Sequence, residues 1–143
     1  MVFRSLQHMG AALVAVLAVL VAVPSPAQAS SGGGCGPRVS YHFGGAGVLY
    51  VTSCISFSSP HLKPDFYVES NAPGGFTCTV KQQMRINGSA VSGGAHVSSC
   101  VAGHYGPWNY AVLPPSGYAD ARIAIVVNGV EQVVSYSPNV YFP

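Results

Sequence analysis

From Tyr118 to Ser137 apolar and polar positions alternate on either side of Asn128-Gly129, and this period of two predicts one long β-hairpin. Asn-Gly suits a type I′ turn, in which both central residues need positive φ. A two-residue turn would place Val127 opposite Val130, Ile125 opposite Gln132, Ile123 opposite Val134 and Ala121 opposite Tyr136. Seven of those eight side chains are apolar or aromatic, so that face is expected to meet a core. The other face is mixed: Asp120, Arg122, Ala124 and Val126 on one strand, Glu131, Val133 and Ser135 on the other.

The same period recurs upstream. Val39, Tyr41 and Phe43 share one side of a strand over Arg38 to Phe43, and Gly44-Gly45 can turn it into a strand over Ala46 to Phe57 with Leu49, Val51, Ile55 and Phe57 on one face. Ser58 to Pro64 reads as a loop because its two prolines cannot donate to a ladder. Asp65 to Ser70 is a short strand with Phe66 and Val68 opposite Tyr67 and Glu69. Phe76 to Ile86 alternates again, with Gln82 the polar exception among Phe76, Cys78, Val80, Met84 and Ile86. Asn87-Gly88 is a second turn of the Asn-Gly kind. Ala111 to Leu113 is a further strand, and Leu113, Pro115 and Tyr118 resemble a tyrosine corner. No segment after residue 29 has a helical period. Seven to nine short strands with frequent turns predict a small antiparallel β-sandwich, Greek-key or immunoglobulin-like, over 38–143.

The first residues fall outside that pattern. Arg4 precedes an apolar run from Gly10 to Val23, Pro24 and Pro26 break it, and Ala27-Gln28-Ala29 is a small-x-small cleavage pattern. As a helix the run would be about 21 Å long, against about 30 Å of bilayer core. Residues 1–29 therefore read as a cleaved signal peptide and 30–37 as a flexible glycine-rich leader. Behind the signal, Arg38, Lys63, Lys81, Arg85 and Arg122 face Asp65, Glu69, Asp120 and Glu131, with no run of either sign. Such a balance steers the chain towards neither nucleic acid nor a membrane surface. A secreted, extracellular monomer that meets a protein or a polysaccharide is the expectation.

Cys35, Cys54, Cys78 and Cys100 all follow the signal, which predicts two disulfides. Four cysteines allow three pairings. Turn registers favour Cys35–Cys54 and Cys78–Cys100, the second provided that extra residues at Gly93-Gly94 or a bulge at Ser98-Ser99 shift the ladder. No zinc-type spacing is present, and no metal or cofactor is expected.

Little in the chain suits catalysis. His42, His61, His96 and His104 stand at no metal-ligand spacing, and no nucleophile elbow is present. Glu69, Arg85 and His104 are residue types that resemble those of the microbial guanyl-specific ribonucleases, which makes a small secreted ribonuclease the catalytic alternative. The stronger candidate is Tyr105, Trp108, Asn109 and Tyr110, an aromatic set on a Gly-Pro loop with the single tryptophan of the chain. In design the chain is similar to the small secreted α-amylase inhibitors, whose Trp-Arg-Tyr triplet would fall on Trp108-Asn109-Tyr110. Asn109 stands where that resemblance would put a cation, and the cysteine spacings differ. The sequence thus points to a non-catalytic binding module, with a hydrolase, or a structural surface protein that associates through apolar strand edges, as alternatives.

Overall fold

The computed structural model describes residues 32–111 and 116–143; the expected signal peptide, Ser30 and Ser31 of the leader, and Leu113 and Pro115 lie outside these. In chain order the strands are β1 (Gly34–Cys35), β2 (Val39–His42), β3 (Val48–Ser58), β4 (His61–Val68), β5 (Cys78–Ile86), β6 (Ser89–Ser99), β7 (Gly103–Tyr105), β8 (Tyr110–Ala111), β9 (Gly117–Val127), β10 (Val130–Tyr136) and β11 (Val140–Phe142), with a 3-10 turn at Gly44–Ala46 between β2 and β3. Seven of these are four residues or longer; β1, β7, β8 and β11 are two- or three-residue additions to sheet edges.

Two antiparallel sheets result. In one, β3 and β4 form the centre, β1 and β2 follow each other along the free side of β3, and β7 and β8 do the same along β4. In the other the order is β10-β9-β5-β6, with β11 beside β9. The alternating apolar residues of both sheets meet between them. One part of the core joins Leu49, Val51, Phe66 and Val68 to Val80, Ile123, Ile125 and Val127, and a second joins Ile55 and Leu62 to Met84, Ala121, Val140 and Phe142. This is the expected all-β two-sheet architecture.

Both disulfides pair as the turn registers favour. Cys35 lies directly opposite Cys54, and Cys78 joins Cys100. The second pairing depends on a register shift in the β5–β6 ladder. Near the turn Ile86 faces Ser89 and Arg85 faces Ala90, but from Gln83↔Ala95 onward the partners are offset by three residues, taken up around Gly93-Gly94. Both Asn-Gly turns have the required positive φ, 49° and 80° at Asn87-Gly88 and 50° and 82° at Asn128-Gly129.

Three expectations are corrected. The hairpin of β9 and β10 keeps its ideal register only to Glu131↔Val126; the next pair is Val133↔Ile125, so Gln132 is an inserted residue. Beyond this bulge every side chain changes face. Val134 and Tyr136 point outward at about 40% exposure, while Ser135 and Ser137 are buried. Ser137 tolerates burial because its Oγ accepts the Ala121 N–H at 2.9 Å and its own N–H reaches the Ala121 carbonyl.

Second, most of the expected loop Ser58 to Pro64 is strand: Ser58 ends β3 and His61 to Pro64 open β4, which leaves only Ser59-Pro60 as the turn. Pro64 sits opposite Ile55, and its carbonyl accepts the Trp108 N–H at 3.1 Å. In a strand the N–H and C=O of one residue point to the same side, so the missing N–H of Pro64 faces the 106–108 segment and costs β3 no ladder bond.

Third, leader residues Gly32, Gly34 and Cys35 take part in strand pairing. Gly32 bridges to Val140 in one sheet, and Cys35 pairs with Cys54 in the other. Its glycines permit close passage: a Cβ on Gly33 would come within 2.8 Å of the Ile55 carbonyl oxygen, and one on Gly36 would collide with that of Tyr136.

Candidate functional site

β7 and β8 split the aromatic segment between two faces. Pairing of β7 with β4 sets Tyr105 over Phe66 inside and His104 beside Tyr67 outside. Gly106, at φ 96°, then turns the chain inward; a Cβ there would strike the indole of Trp108. Trp108 is partly buried against Phe66 and stacks face to face on His96 of β6, with centroids 3.7 Å apart. Tyr110 faces inward opposite Leu62, and its hydroxyl bonds to both the His96 Nε2 and the Gly93 carbonyl. Burial raises the Tyr110 pKa and lowers that of His96. Of the four residues picked from the sequence, Tyr105, Trp108 and Tyr110 turn their rings inward to close the edge between β6 and β4, and Asn109 alone is exposed.

Beneath this closure lie two buried polar atoms without a partner, Gln82 Oε1 and Ser98 Oγ. Gln82 is the polar exception on the inner face of β5. Its Nε2 donates across the sandwich to the Asp65 carbonyl at 2.8 Å, which ties β5 to β4 just behind Trp108.

The opposite side of β7 contributes to a second cluster, on the outer face of the six-stranded sheet. The His104 Nε2–H donates to Asp65 Oδ2 at 2.7 Å, and the imidazole lies parallel to the Tyr67 ring with centroids 4.2 Å apart. Both rings are substantially exposed, Tyr67 at 39% and the His104 side chain at 41%. Tyr67 faces Thr52 across the next ladder, and Arg38 stands at the head of the same row, just before the Val39↔Val51 pair. The Arg38 guanidinium lies 4.4 Å from the centre of the Tyr50 ring and donates to Glu69 Oε2 at 2.9 Å. Arg38, Thr52, Tyr67 and His104 thus form one row across four strands, with Tyr50 and Glu69 on one flank and Asp65 and the Cys35–Cys54 bridge on the other.

The three candidate catalytic types are not brought together. Glu69 and His104 share this face, but Arg85 lies in the other sheet, where it binds Asp120 through two bonds of 2.7 and 2.6 Å. Sequence reading left Tyr67, Thr52, Arg38 and Tyr50 out of any site. The available signal was an aromatic residue on the wet side of the Phe66/Val68 alternation; what it lacked was the register that sets β2, β3, β4 and β7 side by side.

Compared with protein families, curated proteins and solved structures, the chain matches none significantly.

Proposed function

We propose that this chain is a secreted, non-catalytic binding module whose recognition surface is the outer face of the six-stranded sheet. The observation that carries the reading is the exposed Tyr67–His104 ring pair. It is held rigid before any partner arrives, by stacking on one side and by the Asp65 hydrogen bond on the other. Preordered aromatic area loses little conformational entropy on binding, and aromatic and arginine side chains are the usual anchors of recognition surfaces. Two disulfides in so small a β domain are compatible with export to an oxidising compartment. The partner class is a protein or a polysaccharide.

The test compares two aromatic substitutions in partner-binding assays on the purified domain. Tyr67→Ala is expected to lower affinity about tenfold or more, equivalent to at least about 1.4 kcal/mol. Trp108→Phe should leave affinity within about twofold while retaining the fold, since its ring serves the edge closure. The reverse ranking would return the site to the 104–110 segment.

One observation favours the hydrolase reading. The Asp65–His104 pair fixes the imidazole tautomer, as a supporting carboxylate does for a general base, and Glu69 shares the face. Against it, the Arg38 charge on this face is already engaged by Glu69. Turnover of an RNA homopolymer that His104→Ala abolishes, with the fold unchanged, would decide for the enzyme.

A further inference from the structure

We infer that this protein self-associates through the free edge of β6, where residues 95–99 pair antiparallel with the same residues of a second copy about a two-fold axis at Val97. The Cys100 N–H donates to the Cys78 carbonyl, so the pair that follows Thr79↔Ser99 in the β5–β6 ladder is a bonded one. Bonded pairs recur at every second residue, and Ser98 and His96 therefore also turn their N–H and C=O groups to β5. Ala95, Val97 and Ser99 must turn theirs the other way, to the side where the sheet ends. The Ser99 carbonyl accepts the Val101 N–H at 2.9 Å, and among the described residues no group bonds to Ala95 or Val97 from that side. The side chains of all three residues are exposed, Val97 at 61%.

The other sheet edges are blunted. β10 carries Glu131 and the Gln132 bulge, and the six-stranded sheet ends on both sides in the short pieces β1, β2, β7 and β8. β6 is 11 residues long and holds no proline, Asp, Glu, Lys or Arg. Nothing in it repels another strand. Residues 95–99 read small, polar, valine, polar, small, nearly symmetric about Val97, and this symmetry favours a second copy over a foreign strand. Pairing about that centre sets Val97 on Val97 and Ala95 opposite Ser99, which covers the exposed valine without a clash of bulky groups. The register slip at Gly93-Gly94 and the engaged Ser99 carbonyl bound the ladder. Lys81 stands opposite Val97 on β5. The two Lys81 residues of a dimer would be three strand spacings apart, about 14 Å, beyond the screening length of about 8 Å at physiological salt. Arg85 is held by Asp120, His96 is stacked inward on Trp108, and Lys63, Asp65 and His104 belong to the outer face of the other sheet. The axis runs perpendicular to the joined sheets, so the Tyr67–His104 faces of both copies point the same way and a partner with repeated units would engage two sites at once. The pairing itself does not depend on the binding-module reading.

The experiment is sedimentation of the purified protein from about 1 µM to about 1 mM, the range in which a small interface fills. The mass should rise from monomer to dimer. Over the same range amide exchange at Ala95 and Val97 should slow about tenfold or more, while Ser98, already bonded to β5, keeps its rate. Val97→Lys should keep the fold, because the side chain is exposed, and should stay monomeric throughout. Val97→Cys should form an intermolecular disulfide on oxidation, and Val130→Cys, exposed at 60% at the start of β10, should not. If Val97→Lys fails to fold, the two cysteine variants carry the test. A monomer at every concentration would overturn the inference, as would a dimer that Val97→Lys leaves intact or a disulfide that forms as readily at Val130. Exchange at Ala95 and Val97 that slows only when an extended peptide is added would assign the edge to a foreign strand and overturn self-pairing.

Discussion

Tyr110 has one hydroxyl proton and gives it to the Gly93 carbonyl, 3.1 Å away. Its oxygen must then accept from His96 Nε2–H, so the neutral imidazole carries its lone pair on Nδ1. Burial lowers the His96 pKa below its ordinary 6.5, which means that the folded protein prefers the neutral ring. The unfolded chain binds the proton more readily. The stabilisation is therefore fully present above about pH 6.5 and is lost as pH falls through the lower folded value. Trp108 reports this directly, because an imidazolium stacked at 3.7 Å quenches indole emission by accepting an electron. Emission should fall on acidification with a midpoint below 6.5, and His96→Phe should remove the step. A midpoint above 6.5 would mean that a nearby charge, not burial, controls the ring. Elsewhere in the five-stranded sheet Asp120, only 7% exposed, holds Arg85 through two parallel bonds, and Arg85 also lies 4.5 Å from the centre of the Tyr136 ring. Asp120→Ala would strip this partly buried guanidinium of its partner. A loss of about 2 kcal/mol is expected in urea unfolding, less than for a fully buried pair because Arg85 keeps some contact with water.

At the scale of elements, the bulge at Gln132 decides which way β10 faces. Deleting Gln132 would join Glu131 to Val133 and keep the pairs from Val133↔Ile125 to Tyr136↔Arg122, so Val134 and Tyr136 would stay outside and Ser135 and Ser137 inside. Ser137 would keep its bonds to Ala121. The deletion should thus shift stability by about 1 kcal/mol or less, read as a urea midpoint close to that of the parent domain, and a large loss would show that the bulge itself is needed for packing. This bulge also shows where legibility ended. Strand positions, both Asn-Gly turns and both disulfides were readable because each depends on neighbours in sequence or on a simple sum of positions. The Gln132 bulge was not, since an apolar Val134 and Tyr136 fit either face of a strand until packing chooses. Pro64 was misread for a related reason: its missing N–H matters only if a partner strand needs it, and that partner is the distant 106–108 segment. The candidate site was half legible. Composition drew attention to 104–110, but alternation within β7 sends His104 to one side and Tyr105 to the other, and only the ladder with β4 brings Tyr67 and Thr52 to His104.

Across the whole molecule, the glycine-rich strap at Gly32–Gly36 fastens the two sheets to each other. It bridges to Val140 at one end, and Gly33 donates to the Asn139 carbonyl at 2.7 Å. At its other end Gly36 donates to the Ser53 carbonyl at 2.8 Å, and the Cys35–Cys54 bond locks it to β3. Composition alone makes such a run look like a loose linker; here the glycines let backbone pass against backbone. The bond closes a separation of 19 residues, for which chain entropy predicts about 3 kcal/mol. Releasing it also frees the strap that holds β11 against β3, so the double variant Cys35→Ser/Cys54→Ser should lose at least that amount. Gly36→Val separates the two contributions, since it leaves the bond intact and forces the strap away from the Tyr136 carbonyl. If the strap couples the sheets, Gly36→Val alone should lower the urea midpoint and speed amide exchange at Val140 and Phe142 as well as at Cys54. Faster exchange confined to β1 and β3 would show that the strap only decorates one sheet. An unchanged midpoint would show that the disulfide acts on the unfolded chain alone.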